Sequence, residues 1–239
     1  MSGLFGIGGG ALAVPGLLWL GLAQHAAHAT SLAAIVVIAA AALVPFALDG
    51  AVHPVAATAL VAGSLVGVSL GAGLMHRVPE TGLRIGFVVF LLAVAARMFV
   101  GIEVEGDAHV PDLDVARLAA LAGIGAATGV LSSVLGVGGG LILVPALVLG
   151  FSFSQHAAEG TSLAVIIPTA LLGAARHTRR GYTHWRTGFT LGLGGIAGGV
   201  GGAVLALALE GLLLQRLFAG FLVVMALRLA VSGRADDVS

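Results

Sequence analysis

The chain has 239 residues, 59% of them apolar and only 9% charged, with a mean hydropathy of +1.11. Eleven acidic residues balance eleven basic ones, all arginine, and cysteine is absent. Soluble domains carry about a quarter charged residues, so this composition excludes a water-soluble globule and places the chain in a lipid bilayer as an integral membrane protein. It also excludes disulfides and thiolate metal sites, and zero net charge gives nucleic acid no footing. The 38 glycines suit close helix–helix packing in lipid. Low aromatic content and the lack of alternating segments argue against an outer-membrane barrel.

In chain order, the first feature is a glycine-rich run, Gly6, Gly8, Gly9 and Gly10, followed by Val14-Pro15 and then by Gln24-His25 and Thr30-Ser31-Leu32. Met1 runs straight into it without a basic region, so no cleavable signal peptide is expected. A spanning helix needs about 20 apolar residues, and runs 30–48, 54–75 and 83–101 qualify. Residues 103–114 hold five carboxylates and no arginine, the one long polar interruption. Further spans are expected at 117–135, 161–175, 187–209 and 212–231, with a short tail at 232–239. Between 117–135 and 161–175 the opening pattern returns: Gly136, Gly138, Gly139 and Gly140, Val144-Pro145, Gln155-His156 and Thr161-Ser162-Leu163.

The likeness goes beyond the motif. At a spacing of 131, Gly50 and His53 match Gly181 and His184. Gly63, Gly67 and Gly71 match Gly194, Gly198 and Gly202, and Phe87, Phe90 and Arg97 match Phe218, Phe221 and Arg228. The chain reads as a duplicated membrane domain: 1–101 is the first repeat, 102–114 an acidic external linker and 115–239 the second repeat. The second repeat has a leading helix, 117–135, before its glycine run, whereas only residues 1–5 stand before the first; either the first repeat lacks that helix or the sequence starts after it. The spaced glycines read as helix-packing faces.

Arginine placement sets orientation. Arg176, Arg179, Arg180 and Arg186 put loop 176–186 on the cytoplasmic side, as Arg77 and Arg84 do for 76–84 and Arg228 and Arg234 for the C-terminus. The repeat partners of those two loops, 49–54 and the surroundings of Glu210, lack arginine or carry an acid and face outside. The fold class expected is therefore all-α, with two inverted repeats of four to five helices, counting nine crossing segments, and short helices at the glycine motifs near the midplane. Arg97 and Arg228 are expected to snorkel to the interface.

Helices starting after the glycine breaks, at 11–22 and 141–151, are too short to span: the second is about 16 Å long at 1.5 Å per residue. Their heads would aim free N–H groups and a positive dipole end at an anion. Pro15 and Pro145 are expected near the first helical turn. The candidate substrate-binding residues are Gly8, Gly9, Gly10, Thr30, Ser31, Gly138, Gly139, Gly140, Thr161 and Ser162. The Thr-Ser pairs cap the following helices, donate to a ligand, or do both. Gly8, Gly9 and Gly10 should lie close to Gly138, Gly139 and Gly140. Glu159, which replaces His28 in the second copy, is a candidate for proton coupling beside a helix start. His25 and His156, read as surface-loop residues, are weaker candidates. No motif calls for a metal, cofactor or hydrolytic nucleophile.

The glycine-then-proline run followed by Thr-Ser-Leu in both halves, with Gly181-Tyr182-Thr183-His184-Trp185-Arg186 opening a helix, resembles the sulfite exporter TauE/SafE family, also called TSUP. The resemblance covers essentially the whole chain except the missing leading helix. It implies a secondary carrier moving sulfite, an organosulfonate or a related small sulfur oxyanion across the bacterial cytoplasmic membrane. A passive anion channel or an exchanger for another small anion is the competing expectation, because the same helix-end chemistry selects anions in pores.

Overall fold

The computed structural model describes residues 3–74, 80–100, 114–135, 139–179 and 181–236. Among these it has nine helices and no strand: α1 (Gly10–Trp19), α2 (Gln24–Leu48), α3 (Pro54–Leu74), α4 (Glu80–Phe99), α5 (Val115–Leu135), α6 (Gly140–Phe151), α7 (Gln155–Thr178), α8 (Trp185–Ala208) and α9 (Gly211–Asp236). Six of them (α2, α3, α5, α7, α8 and α9) are long and apolar enough to cross a membrane; α6 and the apolar part of α4, Ile85–Phe99, are shorter. The acidic linker lies almost wholly outside the described residues, as does Gly138.

The helices are arranged around α2 and α7. In α7 72% of the apolar window is buried inside the protein, against 22% in α8, so α7 is central and α8 peripheral. α2 packs on both α7 and α8, α3 on α5 and α7, and α4 pairs with α9. Lipid tails compete for apolar contact, so such packing rests on close approach of backbones at small residues. On α3 it does: a methyl added to Gly63 would run into Ala122 O on α5, and one on Gly67 into Ala126 O. Gly125 and Gly129 of α5 return the contact on Leu60 O and Ser64 O. In the second copy the expectation holds only in part. Gly202 packs on Gly3 and Leu4, but nothing lies within 4 Å of a methyl built on Gly194 or Gly198, because α8 turns a different set, Gly188, Gly192, Gly195 and Gly199, toward α2.

Three local expectations are corrected. α2 and α7 start at Gln24 and Gln155, six residues before the Thr-Ser pairs, so Thr30-Ser31 and Thr161-Ser162 lie in the helix interior and are not caps. The α7 cap is Ser154, whose hydroxyl accepts from Ala157 N at 3.2 Å. The Gln-His pairs are consequently first-turn helical residues, not loop residues. Pro15 and Pro145 are each the sixth residue of their helix, one turn deeper than expected. There a proline withholds the N–H that would bond the carbonyl four residues back.

Candidate functional site

Both short helices are headed by a glycine in the left-handed region: Gly9 (φ 87°) precedes α1 and Gly139 (φ 83°) precedes α6. Such a backbone suits glycine, since a Cβ there crowds the next carbonyl. The two equivalent turns launch the chain into helix abruptly, with Ala13 N bonding Gly9 O at 3.0 Å and Leu143 N bonding Gly139 O at 3.1 Å. The N–H groups at each helix head point out of the helix, and no side chain caps them at either Gly9 or Gly139.

The two breaks meet. A methyl on Gly140 would fall 2.6 Å from Ile7 Cα and 2.8 Å from Gly6 O. Ile166 touches both: its Cγ2 lies 3.1 Å from a methyl built on Gly8, and its Cδ1 3.2 Å from one built on Gly140. Ile35, the repeat partner of Ile166, also flanks Gly8, its Cγ2 falling 2.8 Å from a methyl built there. Ser162 fastens the junction, donating from Oγ to Gly6 O at 3.0 Å. Gly8, Gly140, Ser162 and Ile166 thus form one buried cluster between α2, α6 and α7.

The threonines do something the sequence did not announce. Thr161 Oγ1 accepts from His53 N at 3.0 Å, and Thr30 Oγ1 accepts from His184 N at 3.1 Å. Each threonine anchors the entry to a helix of the opposite repeat, α3 and α8, and the two bonds are equivalent under the internal repeat. A hydroxyl that accepts a backbone N–H keeps its own proton for a further acceptor. Both threonines are fully buried. Ser31, also buried, donates to His28 O at 2.8 Å. The His53 ring sits beside Phe153, and its Nδ1 accepts from Ala56 N at 3.1 Å in the first turn of α3. Partial burial holds this imidazole below its ordinary pKa.

Glu159 is inside α7 and fully buried. Gln155, one turn earlier and nearly as buried, donates from Nε2 to Glu159 Oε1 at 2.7 Å. Glu159 Oε2 and Gln155 Oε1 have no hydrogen-bond partner. A methyl on Gly6 would fall 2.8 Å from Glu159 Cα, so the carboxylate-bearing residue abuts the first break. The candidate histidines stand apart from the junction. His25 is exposed and stacks on Tyr182, ring centroids 5.7 Å apart. His156 directs Nε2 at Ala206 O and Leu209 O, 3.0 and 3.1 Å away, at the end of α8.

Sequence reasoning missed Thr128. It is 1% exposed on α5, and its Oγ1 is buried without a hydrogen-bond partner. Its methyl lies against Gly139, with Ser132 one turn on from it. A buried hydroxyl normally finds a partner, so an orphan beside the head of α6 marks a place with a donor to spare. No repeat comparison could have found it, because at the spacing of 131 position 128 has no partner within residues 1–239.

Comparison with known proteins finds membrane transporters. A probable membrane transporter protein of Xylella fastidiosa is 29% identical over 237 residues, covering 98% of this chain and 90% of the relative. The probable membrane transporter protein YunE of Bacillus subtilis is 23% identical over 227 residues, covering 86% and 83%. One from Methanocaldococcus jannaschii is 27% identical over 122 residues, 48% of this chain and 46% of the relative. No solved structure matches. The family model for the sulfite exporter TauE/SafE matches residues 1–98 and 121–238, and the chain, a multi-pass membrane transporter, belongs to that family.

Proposed function

We propose that this transporter is a secondary carrier for a small sulfur-containing oxyanion, such as sulfite or an organosulfonate, across the bacterial cytoplasmic membrane, with its C-terminus in the cytoplasm. The substrate site is the junction of the glycine breaks: Gly8, Gly9 and Gly10 with Gly138, Gly139 and Gly140, and Thr30, Ser31, Thr161 and Ser162 around them. The observation that carries this reading is the meeting of Gly6 and Ile7 with Gly140, beside a buried Thr128 hydroxyl that has no partner. Helix-head amides and hydroxyl protons are all donors, and an oxyanion is all acceptor.

The equivalent bonds Thr161–His53 and Thr30–His184 favour two repeats of inverted topology that hold each other's helix entries. Rocking one repeat against the other would then open the junction to each face in turn. Uptake into proteoliposomes of labelled sulfite, thiosulfate, sulfate and small alkylsulfonates tests the proposal. Saturable uptake of one or more of these supports it. Single-channel currents under a chloride or sulfate gradient would instead identify a passive channel.

A further inference from the structure

The Gln155–Glu159 pair is the one buried carboxyl among the described residues, and its hydrogen-bond pattern is lopsided. The amide donates to Oε1 of the acid at 2.7 Å, while the two remaining oxygens, Gln155 Oε1 and Glu159 Oε2, are buried and empty-handed. Two acceptors with no donor cannot satisfy each other. A single proton on Glu159 Oε2 changes this. The carboxylic acid then donates to Gln155 Oε1 while the amide donates back to Glu159 Oε1, and a closed acid–amide pair leaves neither oxygen an orphan. No cation competes for the role: among the described residues Glu159 has no partner but Gln155.

We infer that Glu159 carries the coupling proton of the transport cycle, held by Gln155 in an acid–amide pair, and that this proton travels with the anion. The inference rests on the junction being the substrate site. Its link to that site is Gly6, whose backbone abuts Glu159 on one side while its carbonyl receives Ser162 and meets Gly140 on the other. An ionised Glu159 would place an unscreened negative charge beside the anion, where the low dielectric makes repulsion strong. Protonated, it imposes none. Binding of anion and proton therefore reinforce each other, and reciprocity requires that each tighten the other by the same factor. The proton enters from water at one face and leaves to water at the other, so a monoanion crosses with no net charge.

Other titratable groups near this end of α7 are committed elsewhere or exposed. His156 lies on the carbonyls that end α8, His53 bonds Ala56 N, and Asp49 and Glu210 are exposed. Gln155 is a positioning residue, since it acts on the substrate only through Glu159.

The test combines a spectroscopic readout independent of transport with a flux measurement. Infrared difference spectra of the purified protein in lipid, wild type minus Glu159→Gln, should show the carbonyl stretch of a protonated carboxyl at neutral pH. Gln155→Leu should shift that band without abolishing it. In proteoliposomes, wild-type anion uptake should fall as pH rises, whereas Glu159→Gln, a permanent mimic of the neutral acid, should bind anion at alkaline pH about tenfold more tightly than wild type, the effect of roughly one pKa unit of differential interaction, and lose the pH dependence. Absence of the carboxyl band at neutral pH overturns the inference, and so does wild-type pH dependence retained by Glu159→Gln. If wild type moves none of the sulfur oxyanions while the band is present, the substrate assignment fails and the protonated acid–amide pair stands; the same pH-dependence comparison with Glu159→Gln on an anion that is transported then upholds or overturns the coupling.

Discussion

Thr128→Val separates a binding role from a structural one, because the two predict opposite signs for stability and function. Valine matches threonine in shape and replaces only the hydroxyl, and their helix propensities are close. In the unliganded protein this hydroxyl is buried without a partner. Leaving a buried polar group unsatisfied costs about 1–3 kcal/mol, so its removal should leave the unliganded protein equally stable or more so. In the proposed anion site the hydroxyl would gain an ionic acceptor on binding. Hydrogen bonds to charged groups contribute about 1.5–3 kcal/mol, so the variant should bind roughly 10- to 150-fold more weakly. Thermal unfolding in detergent with and without sulfite, beside a direct titration, measures both. Thr128→Val should melt at or above the wild-type temperature without ligand and lose most of the ligand-induced rise. A variant that melts lower without ligand, yet binds as wild type does, would show that the hydroxyl serves the fold and is not part of the anion site.

Gly140→Ala drives a methyl into the backbone of Ile7 and Gly6. Overpacking of this kind costs about 1–3 kcal/mol, and transport should fall sharply. Gly198→Ala on α8, where nothing lies within 4 Å, should instead gain about 0.5–1 kcal/mol from helix entropy; the pair of melting curves checks both. Ser162→Ala removes the bond to Gly6 O and should cost about 1 kcal/mol. Combined with Ser31→Ala it should lower both affinity and rate of uptake in a folded protein, and unchanged values in the double variant would remove the serines from the site. His53 has a depressed pKa in the fold, so its contribution is intact above the unfolded value of about 6.5 and is lost as pH falls through the folded value. Protonation also ends its acceptance from Ala56 N. The melting temperature should therefore decline on acidification below about pH 6.5, and His53→Asn, a cap that does not titrate, should flatten that decline.

The spans were legible because a bilayer enforces them: run 117–135 became α5 and 187–209 became α8 to within two residues at either end. The starts of α2 and α7 were not, and the reason is chemical. Gln24-His25 and Gln155-His156 look like loop residues to a hydropathy reading, yet Gln155 is buried because Glu159 one turn on takes its amide. That six-residue shift moved the Thr-Ser pairs from caps to interior positions. Their bonds to His53 N and His184 N span more than 100 residues and could not be read from local spacing. The glycine breaks were legible as breaks, since only glycine readily takes the φ of Gly9 and Gly139. Thr128 was invisible, because an unsatisfied hydroxyl is a property of what surrounds it.

The engaged hydroxyls also redistribute roles within the candidate site. Ser162 and Ser31 give their protons to Gly6 O and His28 O, and so act on a bound anion chiefly by holding backbone in place. Thr30 and Thr161 accept from backbone and retain a proton each, while Thr128 has made no bond at all. Donors available to an anion are then the helix-head amides, Thr128 and, at the ends of the repeat-crossing bonds, the two threonines. Those last bonds run from one repeat to the entry of a helix in the other. In the proposed carrier, a rocking of one repeat against the other that opens the junction to one face would stretch one of these bonds and keep its partner. On that proposal, a threonine that loses His53 N or His184 N would be left seeking a new partner as the anion enters or leaves. Thr161→Val and Thr30→Val should therefore impair opposite halves of the cycle: one should slow uptake into proteoliposomes and the other efflux from preloaded ones. Equal effects of both variants on both directions would refute the alternation.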